Sequence, residues 1–387
     1  MPAMPDFDAQ RLRPAVYHDW LNGMRGGEKC LEAVLALFPR AEVFTLFYEP
    51  ENVSAALRRH PVHEHPIASL PGARRHYRKL IPLLPLVVGH WPRPSGFDFV
   101  LSMSHCAAKG FRTAGLPHLC YCFTPMRYVW DRYSDYFERP GAGFESHLMA
   151  LLRRPLQAWD RGSSRSVDLM LTSAKFVQQR IRQTIAKESA VVPPFADLEF
   201  FTPDPAVPKE DFYLVVSSLV PYKKVEIAVR ACAKLGRRLV VVGAGPERER
   251  LAREAGSRAE FRGWLPDEAI RDLYRRARAF LFPGVEDFGI TPLEAMACGT
   301  PVLAYGAGGA LETVVDLRSD AAGGTGLFFH RQDPVALAET LSDFEAMQSS
   351  FRPAALRAQS ERFSRARFQT GVLQAVERLL AGGAPRA

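Results

Sequence analysis

The chain has 387 residues, of which 47% are hydrophobic and 24% are charged. This balance is typical of soluble globular proteins and excludes a disordered or fibrous chain. Because a single hydrophobic core stops growing at roughly 250–300 residues, the length predicts two domains. The net charge of +8 suits phosphorylated ligands, an anionic membrane surface or nucleic acid. No zinc-finger, homeodomain or RNA-binding pattern accompanies the charge, so we predict no nucleic-acid partner.

The sequence carries no signal for export or for crossing a membrane. The N-terminus lacks the basic start and apolar stretch of a signal peptide, and no run of eighteen apolar residues occurs. These features predict a cytoplasmic protein. The six cysteines form no C-x-x-C pair, which favours reduced, buried thiols over disulfides or a zinc site.

The N-terminal half reads as alternating strands and helices. An apolar strand at Ala15–Trp20 is followed by Gly26 and Gly27 and then by apolar residues at helical spacing, namely Leu31, Val34, Leu35 and Phe38. Further strands are predicted at Phe97–Met103 and His118–Phe123, each with polar residues at its carboxyl end, where open α/β sheets bind ligands. We predict a Rossmann-like, doubly wound domain over residues 1–200.

The pattern restarts after a proline-rich connection. Five prolines fall between Val192 and Pro208, a composition that suits an extended segment. Strands and helices then alternate over residues 201–362, which predicts a second parallel sheet. Its predicted strands are Phe212–Ser217, Arg238–Val242, Ala279–Phe282 and Pro301–Ala304. A final helix within residues 363–387 is expected to cross back onto the first domain.

The stretch 286–301 follows a predicted strand and contains the signals for the start and the end of a helix. Thr291 suits the N-cap, Pro292 the first helical position and Gly299 the C-terminal exit. One interpretation is purely structural. Thr291 and Glu294 would form a capping box, in which each side chain accepts a hydrogen bond from a backbone N–H of the other.

The second interpretation treats the same helix start as an anion site. Free N–H groups around Gly289, Ile290 and Thr291, together with the positive end of the helix dipole, suit a diphosphate. Glu286 lies before the turn and Glu294 within it, so both carboxylates can accept hydrogen bonds from sugar and ribose hydroxyls. Capping accounts for Glu294 but leaves Glu286 unexplained.

These two glutamates resemble the E-x7-E signature of the family 4 retaining glycosyltransferases, and residues 295–302 and 308–312 continue the resemblance. The resemblance implies an α/β protein of the GT-B fold, with two Rossmann-like doubly wound domains facing a cleft. The N-terminal domain would bind the acceptor and the C-terminal domain the nucleotide-sugar donor. In the family the second glutamate, here Glu294, holds the ribose, while the first, here Glu286, faces the donor sugar.

The segment 217–224 resembles the family's R-x4-K diphosphate clamp. Lys223 matches the lysine, whereas Ser218 stands where the family has arginine. Lys224 follows directly and could supply the missing charge, because lysine acts as a compact point charge. The alternative is that both lysines are solvated at a helix start. A cation at that position opposes the helix dipole, which favours a bound anion.

Two features of the N-terminal half also resemble the family. Gly26 and Gly27 match its glycine loop after the first strand, which lets the backbone approach the donor, although an ordinary tight turn explains a glycine pair equally well. His105 falls after a strand, where family members carry a histidine beside the reacting sugar. We favour a polar contact to donor or acceptor, with a structural histidine as the alternative. With Lys223 and Glu286, His105 completes the candidate catalytic residues.

Three further residues are candidates for ligand contacts. The segment 121–131 resembles a family segment that often has histidine where Phe123 stands, and it contains Arg127 and Asp131 as acceptor-side candidates. Surface salt bridging is the alternative role for these two residues. The base of the donor is expected near Trp264, which could equally belong to the core.

The resemblance implies chemistry without a bound metal or a separate cofactor. The only D-x-D pattern is Asp6-Phe7-Asp8, at the very start of the chain. Charge on the departing diphosphate would be met by Lys223, by Lys224 and by the N–H groups near Gly289. Transfer would retain the anomeric configuration by front-face attack, with the leaving phosphate taking the acceptor proton.

Residues 74–88 place a basic cluster beside an apolar stretch broken by prolines. Such a segment could lie on an anionic membrane surface at the inner face of the membrane. A partly buried helix with a solvated charged face is the alternative. Membrane contact would favour a lipid-linked saccharide as acceptor.

The sequence therefore predicts a hexosyltransferase. The overall look of residues 215–225 and 121–131 favours mannose transfer from GDP-mannose to a growing polysaccharide or lipid-linked oligosaccharide. A UDP-sugar donor is the nearest competing choice. Two different classes of protein also suit this fold, a sugar-nucleotide epimerase and a non-catalytic sugar-nucleotide-binding subunit, the latter because Ser218 removes an expected charge.

Overall fold

The computed structural model describes residues 7–91, 94–131, 133–137 and 143–382. Asp6 of the D-x-D pattern lies outside these residues. The chain divides into two compact units. The first comprises Met1–Pro193 and Phe368–Ala387, and the second comprises Pro194–Arg367. Each unit has its own parallel sheet and its own hydrophobic core.

The first unit is built on parallel strands. Those within the described residues are β1 (Ala15–His18), β2 (Glu42–Thr45), β3 (Val62–Glu64), β4 (Val100–Ser104), β5 (His118–Cys122), β6 (Leu169–Thr172) and β7 (Ala190–Val191). They lie in the order β3-β2-β1-β4-β5-β6-β7. The predicted strands at the positions of β1, β4 and β5 are confirmed: Ala15 and His118 are the starts as predicted, and the other ends differ by one to three residues.

Helices connect these strands. They are α1 (Gly26–Leu35), α2 (Leu84–Gly89), α3 (Tyr133–Phe137), α4 (Gly143–Ser163) and α5 (Lys175–Ile185), with 3₁₀ turns such as Tyr77–Leu83 between them. The predicted apolar face of α1 is buried, as Leu31, Val34 and Leu35 show. Gly26 and Gly27 are the first two residues of α1, so the expectation of a glycine loop is wrong: the helix begins at the glycines themselves.

The second unit repeats the design. Its described strands are β8 (Tyr213–Val216), β9 (Leu239–Val242), β10 (Ala259–Gly263), β11 (Ala279–Phe282), β12 (Val302–Tyr305) and β13 (Gly326–Phe329), in the order β10-β9-β8-β11-β12-β13. Four of these strands, β8, β9, β11 and β12, coincide with predicted ones. The residues of β9 and β11 are all buried, because helices cover both faces of a parallel sheet.

The helices of the second unit follow the same alternation. They are α6 (Val225–Leu235), α7 (Arg248–Ala255), α8 (Asp267–Arg276), α9 (Ile290–Ala297), α10 (Ala310–Thr313), α11 (Pro334–Met347) and α12 (Pro353–Glu361). One face of α6 is apolar and packs into the core, since Val225, Ala228, Val229 and Cys232 are buried.

The last helix, α13 (Arg365–Ala381), begins in the second unit and continues in the first. Within the first unit, the ring of Phe368 lies edge-on to Tyr121, with centroids 5.6 Å apart. The side-chain amide of Gln369 donates a hydrogen bond to the carbonyl of Ala33. The part of α13 in the first unit therefore packs against α1 and β5.

Strand order fixes where ligands can bind. In each sheet the order reverses once, between β1 and β4 in the first unit and between β8 and β11 in the second. At such a switch point the loops after the two strands leave in opposite directions and open a crevice at the carboxyl edge of the sheet. The residues after these four strands therefore border the two crevices.

All six cysteines are buried, as the sequence predicts, and free. Among the described residues, no helix combines the length and apolar character needed to cross a bilayer.

Candidate functional site

Two oppositely charged side chains meet at the switch point of the second sheet. Lys223 lies in the turn after β8, and Glu286 lies in the loop after β11. Their Nζ and Oε1 atoms are 2.6 Å apart, and their side chains are only 17% and 23% exposed. The topology thus brings together a cation and a carboxylate that are 63 positions apart in the chain.

The backbone around this pair is packed closely. A Cβ atom added to Gly284 would lie 3.0 Å from the carbonyl oxygen of Lys223, so a side chain there would push the two loops apart. The N–H of Gly309 donates a hydrogen bond of 2.9 Å to the carbonyl of Glu286. These contacts fix the position from which Glu286 reaches Lys223.

Helix α9 begins beside this pair without a side-chain cap. Its N-cap is Gly289, with φ of +89°, a conformation that glycine adopts without the steric cost of a Cβ atom. Thr291 is therefore the second helical residue, and the prediction that it is the N-cap is wrong. The physical reason is that Gly289 allows the chain to turn into the helix two residues earlier.

This earlier start changes the interpretation of Glu294. With Gly289 as the N-cap, Glu294 is the fifth helical residue and cannot form a capping box with Thr291. Its carboxylate instead accepts a hydrogen bond of 3.3 Å from the hydroxyl of Tyr274. Burial raises the pKa of Tyr274 well above its usual range, so this hydroxyl keeps its proton and can donate. The structural explanation that competed for Glu294 is removed.

The remaining donor-side candidates differ in their surroundings. Lys224 has a left-handed backbone, with φ of +55°, at the start of α6, and its Nζ lies 3.8 Å from a carboxylate oxygen of Glu226. Ser218 is exposed. Trp264 follows β10 and is 78% exposed, so the alternative that it belongs to the core is wrong.

In the first unit, the switch point holds a buried carboxylate. Asp19 follows β1, and it accepts hydrogen bonds from the N–H groups of residues 105–108 at 2.6–2.9 Å. His105 follows β4, and its Nδ1 lies 3.0 Å from Oδ2 of Asp19. The ring of His105 also meets Trp20 edge-on, with centroids 4.6 Å apart. His105 is therefore held by specific contacts and remains 25% exposed.

The first turn of α1 lies near the same strand end. The Nδ1 of His18 is 2.9 Å from the carbonyl oxygen of Trp20. A Cβ atom added to Gly27 would lie 3.6 Å from the ring of Phe123 and 3.7 Å from Nε2 of His18. The glycine thus sits where a methyl group would make ordinary contacts with protein atoms, and space at this helix start is limited by the Phe123 ring.

The acceptor-side candidates lie in a segment that α4 and α5 hold in place. Asp131 pairs with Arg180 of α5 at 3.5 Å, and Arg180 also donates to the hydroxyl of Thr124. Salt bridging, the alternative role for Asp131, is therefore present. Arg127 is half-buried. The indole N–H of Trp130 donates to Asp160 of α4 at 2.8 Å.

Residues 74–88 fold as the 3₁₀ turn Tyr77–Leu83 and helix α2. Their apolar residues divide between two environments: Ile81 and Leu84 are buried, whereas Leu83 and Leu86 are exposed. A cavity of about 270 Å³ borders the segment, and its lining includes Arg78, Lys79, Ile81, Pro82, Tyr128 and Met149. The segment is partly buried and also presents apolar and basic side chains to solvent.

Sequence reasoning missed three residues that shape these sites: Asp19, Tyr274 and Arg180. Asp19 carried a usable signal, because it is an acidic residue directly after a buried strand at the carboxyl edge of the sheet. Tyr274 and Arg180 lie on helices, and no local pattern links them to their partners. No group of three or more histidine, cysteine or acidic residues that could hold a metal ion occurs within the described part of the chain.

Comparison with known proteins places this geometry in context. Residues 199–364 match the sequence model of the family described as glycosyl transferases group 1. A GDP-mannose-dependent alpha-(1-6)-phosphatidylinositol monomannoside mannosyltransferase of Mycolicibacterium smegmatis is 31% identical over 209 residues, which cover 46% of this chain and 53% of that protein. A D-inositol 3-phosphate glycosyltransferase of Frankia alni is 33% identical over 180 residues, covering 39% and 43%. The matches thus span about half the length of these relatives.

Solved structures match over nearly the whole chain. Sucrose-phosphate synthase from Thermosynechococcus elongatus has a TM-score of 0.75 at 20% identity, covering 96% of this chain and 100% of that chain. The Anabaena protein HepE, solved in complex with UDP-glucose, has a TM-score of 0.68 at 17% identity, covering 96% and 100%. At these identities the similarity establishes the fold.

Proposed function

We propose that the chain transfers a hexose from a nucleotide sugar to a saccharide acceptor with retention of configuration, because residues 199–364 match the group 1 glycosyl transferases and the chain has the GT-B fold. The observation that carries the proposal is the pairing of Lys223 with Glu286 at the switch point beside the uncapped start of α9.

The chemistry of this arrangement suits a sugar diphosphate. Lys223 supplies a positive charge, and the N–H groups of Ile290 and Thr291 lie in the first turn of a helix that no side chain caps. Such groups stabilise an anion without reorganising when charge develops on it. We propose that Lys223 and these N–H groups bind the departing nucleoside diphosphate, and that Lys224 supplies the positive charge that the family's arginine would supply at position 218.

The two glutamates take different parts of the donor in this proposal. Glu286 faces the donor sugar, where its carboxylate accepts hydroxyl hydrogen bonds and stabilises positive charge that develops on the ring. Glu294 holds the ribose hydroxyls, while Tyr274 orients its carboxylate. The base lies near Trp264, whose exposed ring offers a stacking surface. Because protein groups meet the diphosphate charge, the proposal needs no metal ion or separate cofactor.

The first unit would bind the acceptor. His105 makes a polar contact to the reacting sugar or the acceptor, and Arg127 and Asp131 lie on the acceptor side. Gly26 and Gly27 let the donor phosphates approach the first turn of α1. The acceptor hydroxyl attacks from the face that the diphosphate leaves, and its proton passes to the departing phosphate oxygen.

For the donor, we propose GDP-mannose. The Mycolicibacterium relative supports this choice, because its name specifies GDP-mannose and mannosyl transfer. Its acceptor, a phosphatidylinositol monomannoside, also supports a lipid-linked acceptor here. A UDP-sugar remains the second candidate donor.

A lipid-linked acceptor agrees with the surface of residues 74–88. The exposed Leu83 and Leu86 belong to the same segment as the exposed basic residues Arg75 and Lys79. We propose that this segment contacts the inner face of an anionic membrane, where each cationic residue near the surface contributes about 1 kcal/mol. The protein would then act as a cytoplasmic, peripherally bound enzyme.

The test is turnover of a panel of nucleotide sugars by the purified protein, with and without membrane extract, followed as release of free nucleoside diphosphate. Release from GDP-mannose is the expected result. Release from a UDP-sugar alone would reassign the donor, and interconversion of sugars without release would indicate an epimerase. Binding without either reaction in the presence of the extract would indicate a non-catalytic subunit. This class is a specific alternative because Ser218 removes a charge that the family's diphosphate clamp has.

A further inference from the structure

Both carboxylate oxygens of Asp19 accept hydrogen bonds from the backbone. Its Oδ2 accepts from the N–H groups of His105 and Cys106, and its Oδ1 accepts from those of Ala107 and Ala108. Its side chain is fully buried. A carboxylate has about four lone-pair positions, and the four backbone N–H groups already match that number, so the ring of His105 is a fifth contact.

This arrangement keeps Asp19 ionised. Burial alone would raise the pKa of Asp19, but the ring and the backbone N–H of His105 outweigh burial and hold the pKa below its usual range. An ionised carboxylate only accepts hydrogen bonds. The Nδ1 of His105, 3.0 Å from Oδ2, must therefore carry a proton.

The proton on Nδ1 determines what the other ring nitrogen can do. In a neutral imidazole, a proton on Nδ1 leaves Nε2 as a hydrogen-bond acceptor. No described residue forms a hydrogen bond with Nε2 of His105, although the ring is one quarter exposed. Trp20 meets the ring edge-on and restricts its rotation. The ring thus has one nitrogen tied to the protein and the other available at the carboxyl edge of the sheet.

We propose that Asp19 is a positioning residue that fixes the tautomer and orientation of His105, so that Nε2 accepts a hydrogen bond from a sugar hydroxyl at the switch point between β1 and β4. The role assigned to that hydroxyl rests on the proposed transferase function, whereas the tie between Asp19 and His105 does not. The competing explanation is that Asp19 only stabilises the turn at residues 105–108.

The first arm of the test is nitrogen NMR of protein labelled with ¹⁵N-histidine, with the His105 signals assigned by their loss in His105→Ala. We expect the neutral ring of the wild type to carry its proton on Nδ1, and Asp19→Asn to shift the proton toward Nε2. Asp160→Asn is the matched control, because it removes another buried carboxylate of the same unit that does not contact His105. A wild-type ring with its proton on Nε2 would overturn the proposal, even if Asp19→Asn does not fold.

The second arm measures kcat and KM for release of GDP from GDP-mannose. Asp19→Asn is expected to lower kcat about tenfold with little change in the donor KM, and His105→Ala to do the same. The double variant should be no slower than His105→Ala, since residues that act as a unit are not additive. If Asp19→Asn lowers kcat by the same factor in the His105→Ala protein as in the wild-type protein, Asp19 acts through the fold and the proposal is wrong.

The two arms separate the failure of the inference from the failure of the proposed function. A wild-type protein that turns over no donor would contradict the proposed function. An Nδ1 proton in that same protein would still support the tie to Asp19. A His105 signal that is identical in wild type and Asp19→Asn would reject the tie, whatever the activity.

Discussion

Replacing Glu286 by glutamine should strengthen the binding of a nucleoside diphosphate while it slows turnover of the nucleotide sugar. The carboxylate of Glu286 forms an ion pair with the ammonium of Lys223 at 2.6 Å. A diphosphate that uses Lys223 must therefore compete with this carboxylate. Glutamine keeps the size of the side chain but removes the competing charge.

The exposure of the pair sets the size of the effect. Fully exposed ion pairs contribute about 0.2–1 kcal/mol, whereas breaking a fully buried pair costs about 3–5 kcal/mol. At 17% and 23% exposure, the pair lies between these limits. Release of about 1 kcal/mol of this competition corresponds to about fivefold tighter GDP binding. Loss of the carboxylate beside the donor sugar should lower kcat about a hundredfold.

The assay combines calorimetric titration of GDP with kinetics of GDP release from GDP-mannose, and thermal melting checks the fold. Glu226→Gln is the matched control, because it removes one negative charge beside the neighbouring Lys224 at a distance of 3.8 Å. The control should change GDP affinity less than Glu286→Gln does. Unchanged or weaker GDP binding by Glu286→Gln would refute the assignment of Lys223 to the diphosphate.

Three other predictions concern the surroundings of the site. Gly27→Ala should stabilise α1 by up to about 1 kcal/mol, because the added Cβ atom makes only ordinary contacts, but it should lower donor turnover. Denaturant unfolding measures the stability and GDP release measures the turnover. Unchanged turnover would show that Gly27 is not part of the site. Trp264→Ala should alter stability by less than about 0.5 kcal/mol, because the side chain is 78% exposed. It should weaken GDP binding about tenfold in the calorimetric titration. An unchanged GDP affinity would show that the base does not bind near Trp264. The pKa of Asp19 is lowered in the folded state, so its stabilisation is complete above the ordinary aspartate pKa of about 4 and is lost as pH falls below it. Denaturant unfolding at pH 7 and pH 3 should therefore show a smaller acid-induced loss of stability for Asp19→Asn than for the wild type, and an equal loss would contradict this sign.

Much of the fold could be predicted because its strands are short apolar runs bounded by turn residues. The predicted strand Ala279–Phe282 has the same ends in the structure, since buried parallel strands carry a strong apolar signal. The predicted helix start near Gly289 is misplaced by two residues. Threonine followed by proline is a common local signal, but a glycine with positive φ overrides it.

Residues of the candidate site could be predicted only where they belong to a recognisable sequence motif. Glu286, Lys223 and Glu294 are recognisable in the sequence because their spacing resembles a known signature. The tie between Asp19 and His105 spans 86 positions, and the contact between Tyr274 and Glu294 joins two different helices. These contacts depend on the order of the strands in each sheet and on how the helices pack on it. The sequence of one short strand or helix does not indicate that order.

The most direct test of the central claim is the configuration of the first product released from the donor. GDP-α-mannose incubated with the protein and a saccharide acceptor, or with water as a slow acceptor, can be followed by proton NMR before mutarotation. Retention predicts the α-anomer as the first product, together with one GDP for each hexose transferred. A β-anomer as the first product would contradict the retaining mechanism proposed for the Lys223 and Glu286 site.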